Sequence, residues 1–171
     1  MPFFPCGLRM IDIRRAVPED FAQILPIFRD VIEGGDTYDF EESVSDQEVY
    51  DYWFGPGDTS FVVERDGQVI GFYKVVANRR GRGSHVANVS IMIASHARGK
   101  GIGRMTMKHC MEQARAMGFK AIQANFVVST NAPAIHLWKS LGFKELCRLP
   151  KAFNHKEFGY VDAMIFFLEL S

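Results

Sequence analysis

The chain has 171 residues, 47% of them apolar and 23% charged, which suits one folded domain and excludes global disorder. Its 20 Lys and Arg balance 20 Asp and Glu, so the formal net charge is zero and the chain as a whole is not built for counterion-release binding to nucleic acid. A chain of this length buries roughly 70% of its unfolded surface and needs neither metal nor disulfide to fold.

Residues 1–9 are apolar, broken by Pro2 and Pro5 and too short for a signal peptide; they read as a lead-in to a single domain over residues 10–171. Residues 10–17 carry Ile11 and Ile13 and predict a strand. Pro18 then opens a helix, with Glu19 and Asp20 at the positive end of its dipole. Phe21, Ile24, Leu25, Phe28, Val31 and Ile32 form its apolar stripe, Pro26 predicts a kink, and Gly34-Gly35 predicts its end. Ser45 and Glu48 form a capping box for a short helix leading into Tyr52, Trp53 and Phe54. Residues 61–65 and 68–76 flank Asp66-Gly67, which predicts a hairpin on a type I′ turn.

A strand over 85–93 follows the 78–84 loop. The next helix, 102–117, places Met107, Cys110, Met111, Ala114 and Met117 on one face and stops at Gly118. A strand over 120–128, a helix over 132–141 stopped by Gly142, and strands over 143–149 and 160–170 complete the chain. The order β-α-α-β-β-β-α-β-α-β-β predicts an α/β (α+β) fold, a mixed and mostly antiparallel sheet with helices on both faces.

Cys6, Cys110 and Cys147 are odd in number and widely spaced, so no disulfide framework is expected and the usage points to the cytoplasm. The five histidines lack metal-ligand spacing, and the apolar runs fall far short of the ~18 residues of a spanning helix, so neither a metal nor a membrane is expected. Arg79-Arg80-Gly81-Arg82-Gly83 reads as a solvated loop rather than a nucleic-acid tract. The methionine face of the 102–117 helix reads as core filler, with Cys110 buried among it and not a nucleophile.

The most informative stretch is Ile93-Ala94-Ser95-His96-Ala97-Arg98-Gly99-Lys100-Gly101-Ile102-Gly103-Arg104. A strand ends, a glycine-rich turn follows and a helix begins. The first amides of a helix have no partner within it, they sit at the positive end of its dipole, and glycines let an anion approach. Arg98, Lys100 and Arg104 add positive charge, so the turn predicts a phosphate or pyrophosphate site. Lys100 is followed by Gly101, which fails the Walker A pattern, and the spacing of Gly99, Gly101 and Gly103 fails the dinucleotide fingerprint.

Arg98-x-x-Gly101-x-Gly103 resembles the R/Q-x-x-G-x-G/A pyrophosphate loop of the GNAT family of N-acetyltransferases. Asn131-Ala132-x-Ala134-x-x-Leu137-Trp138-x-x-x-Gly142-Phe143 resembles that family's later helix and following strand, and Tyr160-Val161-Asp162 its closing strand. The resemblance covers about residues 10–170 and implies an acetyl-CoA-dependent transferase; a small-molecule amine is the expected acceptor. It implies that Gly99, Lys100, Gly101, Gly103, Arg98 and Arg104 hold the pyrophosphate. It also implies that the backbone of Ile91 and Ile93 pairs with the pantetheine arm, and that Asn131 lies beside the cofactor. A homodimer is compatible with it.

In such a site an amine attacks the thioester carbonyl, and a backbone N–H at Ile93 is the expected donor to the oxyanion. Most of the rate then comes from positioning two bound reactants. Many relatives carry Tyr at the position of Trp138, where it can protonate the leaving thiolate. An indole N–H donates a hydrogen bond but keeps its proton, so Trp138 either steadies the thiolate or serves only as core. A thiol of pKa near ~8.5 can leave as thiolate. The general base is open among His85, Glu33, Asp36 and a water chain beside Asn88 and Ser90.

On the acceptor side, Asn88 and Asn125 interrupt neighbouring strands. Asn is disfavoured there, so the pair marks either a polar cleft for the carboxylate and amine of an amino acid or analogue, or two amides bonded to each other and to backbone. Asn88, Asn125 and Asn131 also resemble the asparagines of fungal acetyltransferases acting on proline analogues such as azetidine-2-carboxylate. Tyr38 and Phe40 are expected either to wall the acceptor pocket or to pin their loop. Phe153-Asn154-His155 is expected in the connection between the last two strands, as a lid over the acceptor or a dimer contact. The alternatives are an acetyl-CoA-binding module without turnover, and a protein or peptide N-acetyltransferase.

Overall fold

The structure, a computed structural model, describes residues 11–170; the lead-in expected over 1–9 lies outside the described residues. The elements are β1 (Ile11–Arg15), α1 (Phe21–Gly34), α2 (Asp46–Phe54), β2 (Thr59–Arg65), β3 (Gln68–Ala77), β4 (Val86–Ile93), α3 (Ile102–Ala116), β5 (Ala121–Val128), α4 (Ala132–Ser140), β6 (Lys144–His155) and β7 (Gly159–Glu169). Their order is the one expected. They form a seven-stranded sheet in the order β1-β2-β3-β4-β5-β7-β6, antiparallel throughout except between β4 and β5.

Strand alternation divides the core between the two faces. Val62, Val69, Phe72 and Met92 face α1 and α2, burying Ile24, Phe28, Val49 and Trp53. Their neighbours Phe61, Tyr73, Val75 and Val89 face the other way, onto Met107, Cys110 and Ala114 of α3 and Trp138 of α4. Burial pushes the Cys110 thiol far up, which fits an inert core residue. Met117, expected on the same face, lies past the end of α3 and is 41% exposed.

Local signals formed as their chemistry dictates. Asp66 and Gly67 both take positive φ, 53° and 77°, as a type I′ turn requires. Ser45 and Glu48 close the capping box of α2. α1 continues through Pro26 to Gly34, and Gly35 ends it in the left-handed region. Arg14 ties β1 to its surroundings through two bonds to Asp20, 2.8 and 2.7 Å, and two to Glu64, 3.2 and 2.7 Å. No helix among the described residues is long and apolar enough to cross a membrane.

β6 is longer than the 143–149 expected. It runs to His155, with register shifts against β7 between Glu145 and Cys147 and between Leu149 and Phe153. Phe153, Asn154 and His155 therefore lie inside a strand, paired with Val161, Tyr160 and Gly159, and the connection is Lys156, Glu157 and Phe158.

Candidate active site

β4 and β5 pair only at Val86, Ala87 and Asn88. Beyond Asn88 the ladder stops, and a cleft of about 770 Å³ lies between the two strands. Antiparallel pairing turns the N–H and C=O of every second β4 residue towards β3. Asn78 N–H donates to Val86 O at one end of that pairing, and Ala94 N–H to Ile70 O at the other. Val89, Ile91 and Ile93, in the opposite phase, turn their backbone groups into the cleft.

Two side chains meet those groups. The Tyr38 hydroxyl accepts from Ile91 N–H at 2.9 Å and donates to Ile91 O at 2.7 Å. Burial pushes its phenol far up, so it stays a neutral hydroxyl. Arg98 Nε donates to Ile93 O at 3.1 Å, and Arg98 lines the cleft.

Arg98 leads into the glycine turn. Gly99 and Gly101 take φ of +73° and +76°, which only glycine adopts without strain, and a Cβ added at either would meet nothing within 4 Å. Gly101 is the N-cap of α3, which has no side-chain cap, so its first amides are uncompensated within the protein. Gly103 lines the cleft and lies against Leu137 of α4. Lys100 turns back to donate to His96 O at 3.2 Å, and Arg104 donates to Ser140 Oγ at 2.7 Å. Of the three cations, Arg98 alone lines the cleft.

α4 supplies the adjoining wall. Asn131 lines the cleft and also caps α4, its Oδ1 accepting from Ala134 N–H at 3.2 Å. Trp138 lines the cleft as well; it is 9% exposed and packs edge-on against Phe143 at 4.7 Å.

At the other end stand Asn88 and Asn125, whose amides are largely engaged. Asn88 Nδ2 donates to Gln123 O at 3.0 Å. Asn125 Nδ2 donates to Asn78 Oδ1 at 2.7 Å, and Asn125 Oδ1 accepts from Gln123 Nε2 at 2.9 Å. Tyr38 lines the cleft, whereas Phe40 packs edge-on against Phe28 and Tyr52. Phe153 is 6% exposed and does not line the cleft; His155, Glu157 and Phe158 do. Of the candidate bases, Asp36 lines the cleft, while His85 and Glu33 do not.

Sequence reasoning missed Tyr52, whose hydroxyl hydrogen-bonds Ser90 Oγ at 2.7 Å inside the cleft. Lys74 lies beneath that ring, its Nζ 3.5 Å from the centroid, donating to Tyr52 O and 3.4 Å from Asp58. Burial lowers the Lys74 pKa against the opposing pull of Asp58. A lysine inside the otherwise apolar run of residues 69–76 was the available signal.

Comparison with known proteins gives a consistent picture. A GCN5-related N-acetyltransferase from Kribbella flavida superposes with a TM-score of 0.89 at 38% identity, over 94% of this chain and 98% of that one. A phosphinothricin acetyltransferase from Sinorhizobium meliloti, solved in complex with acetyl-CoA, superposes with a TM-score of 0.84 at 25% identity, over 94% and 89%. N-acetyltransferase aca1 of Schizosaccharomyces pombe is 28% identical over 152 residues, 79% of this chain and 73% of that protein. The family model described as Acetyltransferase (GNAT) family matches residues 24–143, so the chain belongs to that family of acetyltransferases.

Proposed function

We propose that the protein transfers an acetyl group from acetyl-CoA to the amine of a small molecule by direct attack in a ternary complex. One observation carries the reading: Ile91 and Ile93 present backbone groups to a cleft beside the glycine turn and uncapped amides of α3. The residues present fit acetyl-CoA. The open space over Gly99 and Gly101, with the Arg98 charge beside it, suits a diphosphate. The unpaired edge of β4 suits an amide-bearing arm.

Acetyl-CoA supplies an activated acyl carbon on a sulfur leaving group. This chain holds the reacting groups together and supplies donors. The acceptor nitrogen forms a bond to the acyl carbon, the carbon–sulfur bond breaks with its electron pair leaving on sulfur, and the nitrogen gives up a proton. Ile93 N–H is the donor assigned to the developing oxyanion. Trp138 keeps water from the sulfur and offers at most an N–H hydrogen bond. Asp36, which lines the cleft, is assigned as a proton acceptor, and the Ser90 and Tyr52 hydroxyls, hydrogen-bonded to each other at 2.7 Å, are placed to relay a proton through water. Among acceptors, an amino acid or analogue is supported by Asn88, whose Oδ1 is left to accept from an ammonium or amine.

The test is thiol release from acetyl-CoA across a panel of amines, together with calorimetric binding of acetyl-CoA. Binding with turnover on at least one amine is expected. Binding without turnover on any amine would favour a cofactor-binding module, and absence of binding would sink both.

A further inference from the structure

We propose that His155 is a specificity-determining residue, its Nε2–H donating to the carbonyl-type oxygen of an α-amino acid or amino acid amide; this rests on the transferase reading above. His155 is the last residue of β6 and is buried like Phe153, while Asn154 and Lys156 on either side of it are exposed. It is 7% exposed and lines the cleft. A polar side chain buried this far ordinarily has a partner for each of its polar atoms.

Only one ring nitrogen of His155 has partners. Nδ1 accepts from the N–H groups of Glu157 and Phe158 at 3.0 and 3.3 Å. An accepting nitrogen carries no proton, so the ring hydrogen sits on Nε2. The imidazolium carries a hydrogen on Nε2 as well, so this atom is a donor in either protonation state. Among the described residues nothing accepts from it, and it is not sealed from accessible space. The space that the ring borders is the cleft.

The ring is also held in place. The Phe158 ring lies 4.6 Å from it, tilted by 34°, and Phe153 meets it edge-on at 6.3 Å. Lys156 N–H donates to Gly35 O at 3.0 Å, tying the turn after β6 to the loop after α1.

A fixed donor beside a cleft selects for an atom that accepts. The reacting nitrogen cannot be that atom, since its lone pair must reach the acyl carbon. A carboxylate or amide oxygen next to the amine can be. Asn88 Oδ1, which lines the same cleft, is left for the amine itself. Holding the acceptor at two points restricts the approach of its nitrogen, which is where most of the rate arises. Asp36, Asp39 and Glu157 also line the cleft, but carboxylates only accept and do not compete for such an oxygen.

Matched trios test this: leucine and leucinamide against isopentylamine, phenylalanine and phenylalaninamide against phenethylamine, and proline and prolinamide against pyrrolidine. In the wild type, kcat/KM should be higher by about tenfold for the better oxygen-bearing member of a trio than for the plain amine. Preference for the acid assigns a carboxylate, and preference for the amide assigns an uncharged carbonyl. Two variants separate recognition from folding. Asn makes the same bonds to backbone N–H groups two and three residues on, so His155→Asn keeps the turn and loses the donor in the cleft. His155→Gln carries an N–H at the reach of Nε2 and loses the turn. The ratio should collapse towards one in His155→Asn, with a melting temperature near that of the wild type, and fall by about threefold or less in His155→Gln. A ratio that falls more in His155→Gln than in His155→Asn, or moves in neither, would overturn the inference and leave the transferase standing. So would a wild type that acetylates the plain amines as well as their partners. If acetyl-CoA binds and no amine is acetylated, the transferase reading falls and takes the inference with it.

Discussion

Tyr38 and Ile91, which are 53 positions apart, are joined by two hydrogen bonds, the hydroxyl accepting from the amide and donating to the carbonyl of one residue. This closes a gap in the sheet. Where β5 leaves β4, a side chain from the loop after α1 takes the place of the missing strand.

That arrangement makes a prediction about binding. If the pantetheine arm pairs with Ile91, the wild type must break both bonds to admit it. Tyr38→Phe has already lost them. The free variant should be less stable by about 1 kcal/mol, because Ile91 reaches water through the cleft. It should bind acetyl-CoA more tightly, up to about tenfold, so the gain in melting temperature on adding acetyl-CoA should widen. Weaker binding by calorimetry would instead make the Tyr38 hydroxyl a direct ligand.

Arg98→Glu should weaken CoA binding by about one to two orders of magnitude, because a charge-assisted contact is worth roughly 1.5–3 kcal/mol and here it is reversed as well as removed. Arg104→Ala should have a smaller effect, since Arg104 already spends a donor on Ser140 and does not line the cleft. Equal effects of the two substitutions in a titration with CoA would contradict the placement of the diphosphate beside Arg98.

Features set by neighbouring residues were legible in the sequence. The turn at Asp66-Gly67, the cap at Ser45 and the glycines before α3 each need only a few adjacent positions to act. β6 was not, because it is an edge strand. An edge tolerates Pro150, which reads in the sequence as a stop, and with both faces largely exposed as far as Ala152 the strand shows no apolar alternation. The site was legible where chemistry clusters locally, at Arg98, Gly101 and Gly103, and illegible where it depends on partners far along the chain. Asn125 looked free for a ligand because Asn78, 47 residues away, could not be seen beside it.

Asn125 therefore has a different expected phenotype from a simple ligand. Its amide joins β5 to Asn78 in the loop after β3, and Gln123 completes the chain. Asn125→Ala leaves Asn78 and Gln123 without that partner and should cost about 1–2 kcal/mol of stability. If the acceptor binds beside Asn125, which lines the cleft, its KM should rise more than that for acetyl-CoA. Steady-state kinetics with both substrates varied checks this, and equal rises in the two KM values would count against it.

The Arg14–Asp20–Glu64 cluster gives the fold an acid-sensitive joint. Hydrogen bonds from Arg14, helped by Val17 N–H, hold the Asp20 carboxyl below its ordinary value of 3.8, against the opposing effect of burial. The folded state thus binds a proton at Asp20 more weakly than the unfolded chain does. By linkage, the stability contributed is fully present above 3.8 and is lost as the pH falls through the lower folded value. Asp20→Asn keeps the shape and removes the charge. At neutral pH it should cost about 1–2 kcal/mol, because the Arg14 side chain is partly in water and retains Glu64. The difference between wild type and variant, measured by urea unfolding, should be constant above about pH 5 and shrink progressively below 3.8. A difference that stayed constant down to pH 2 would assign the stabilisation to packing rather than to the ion pair.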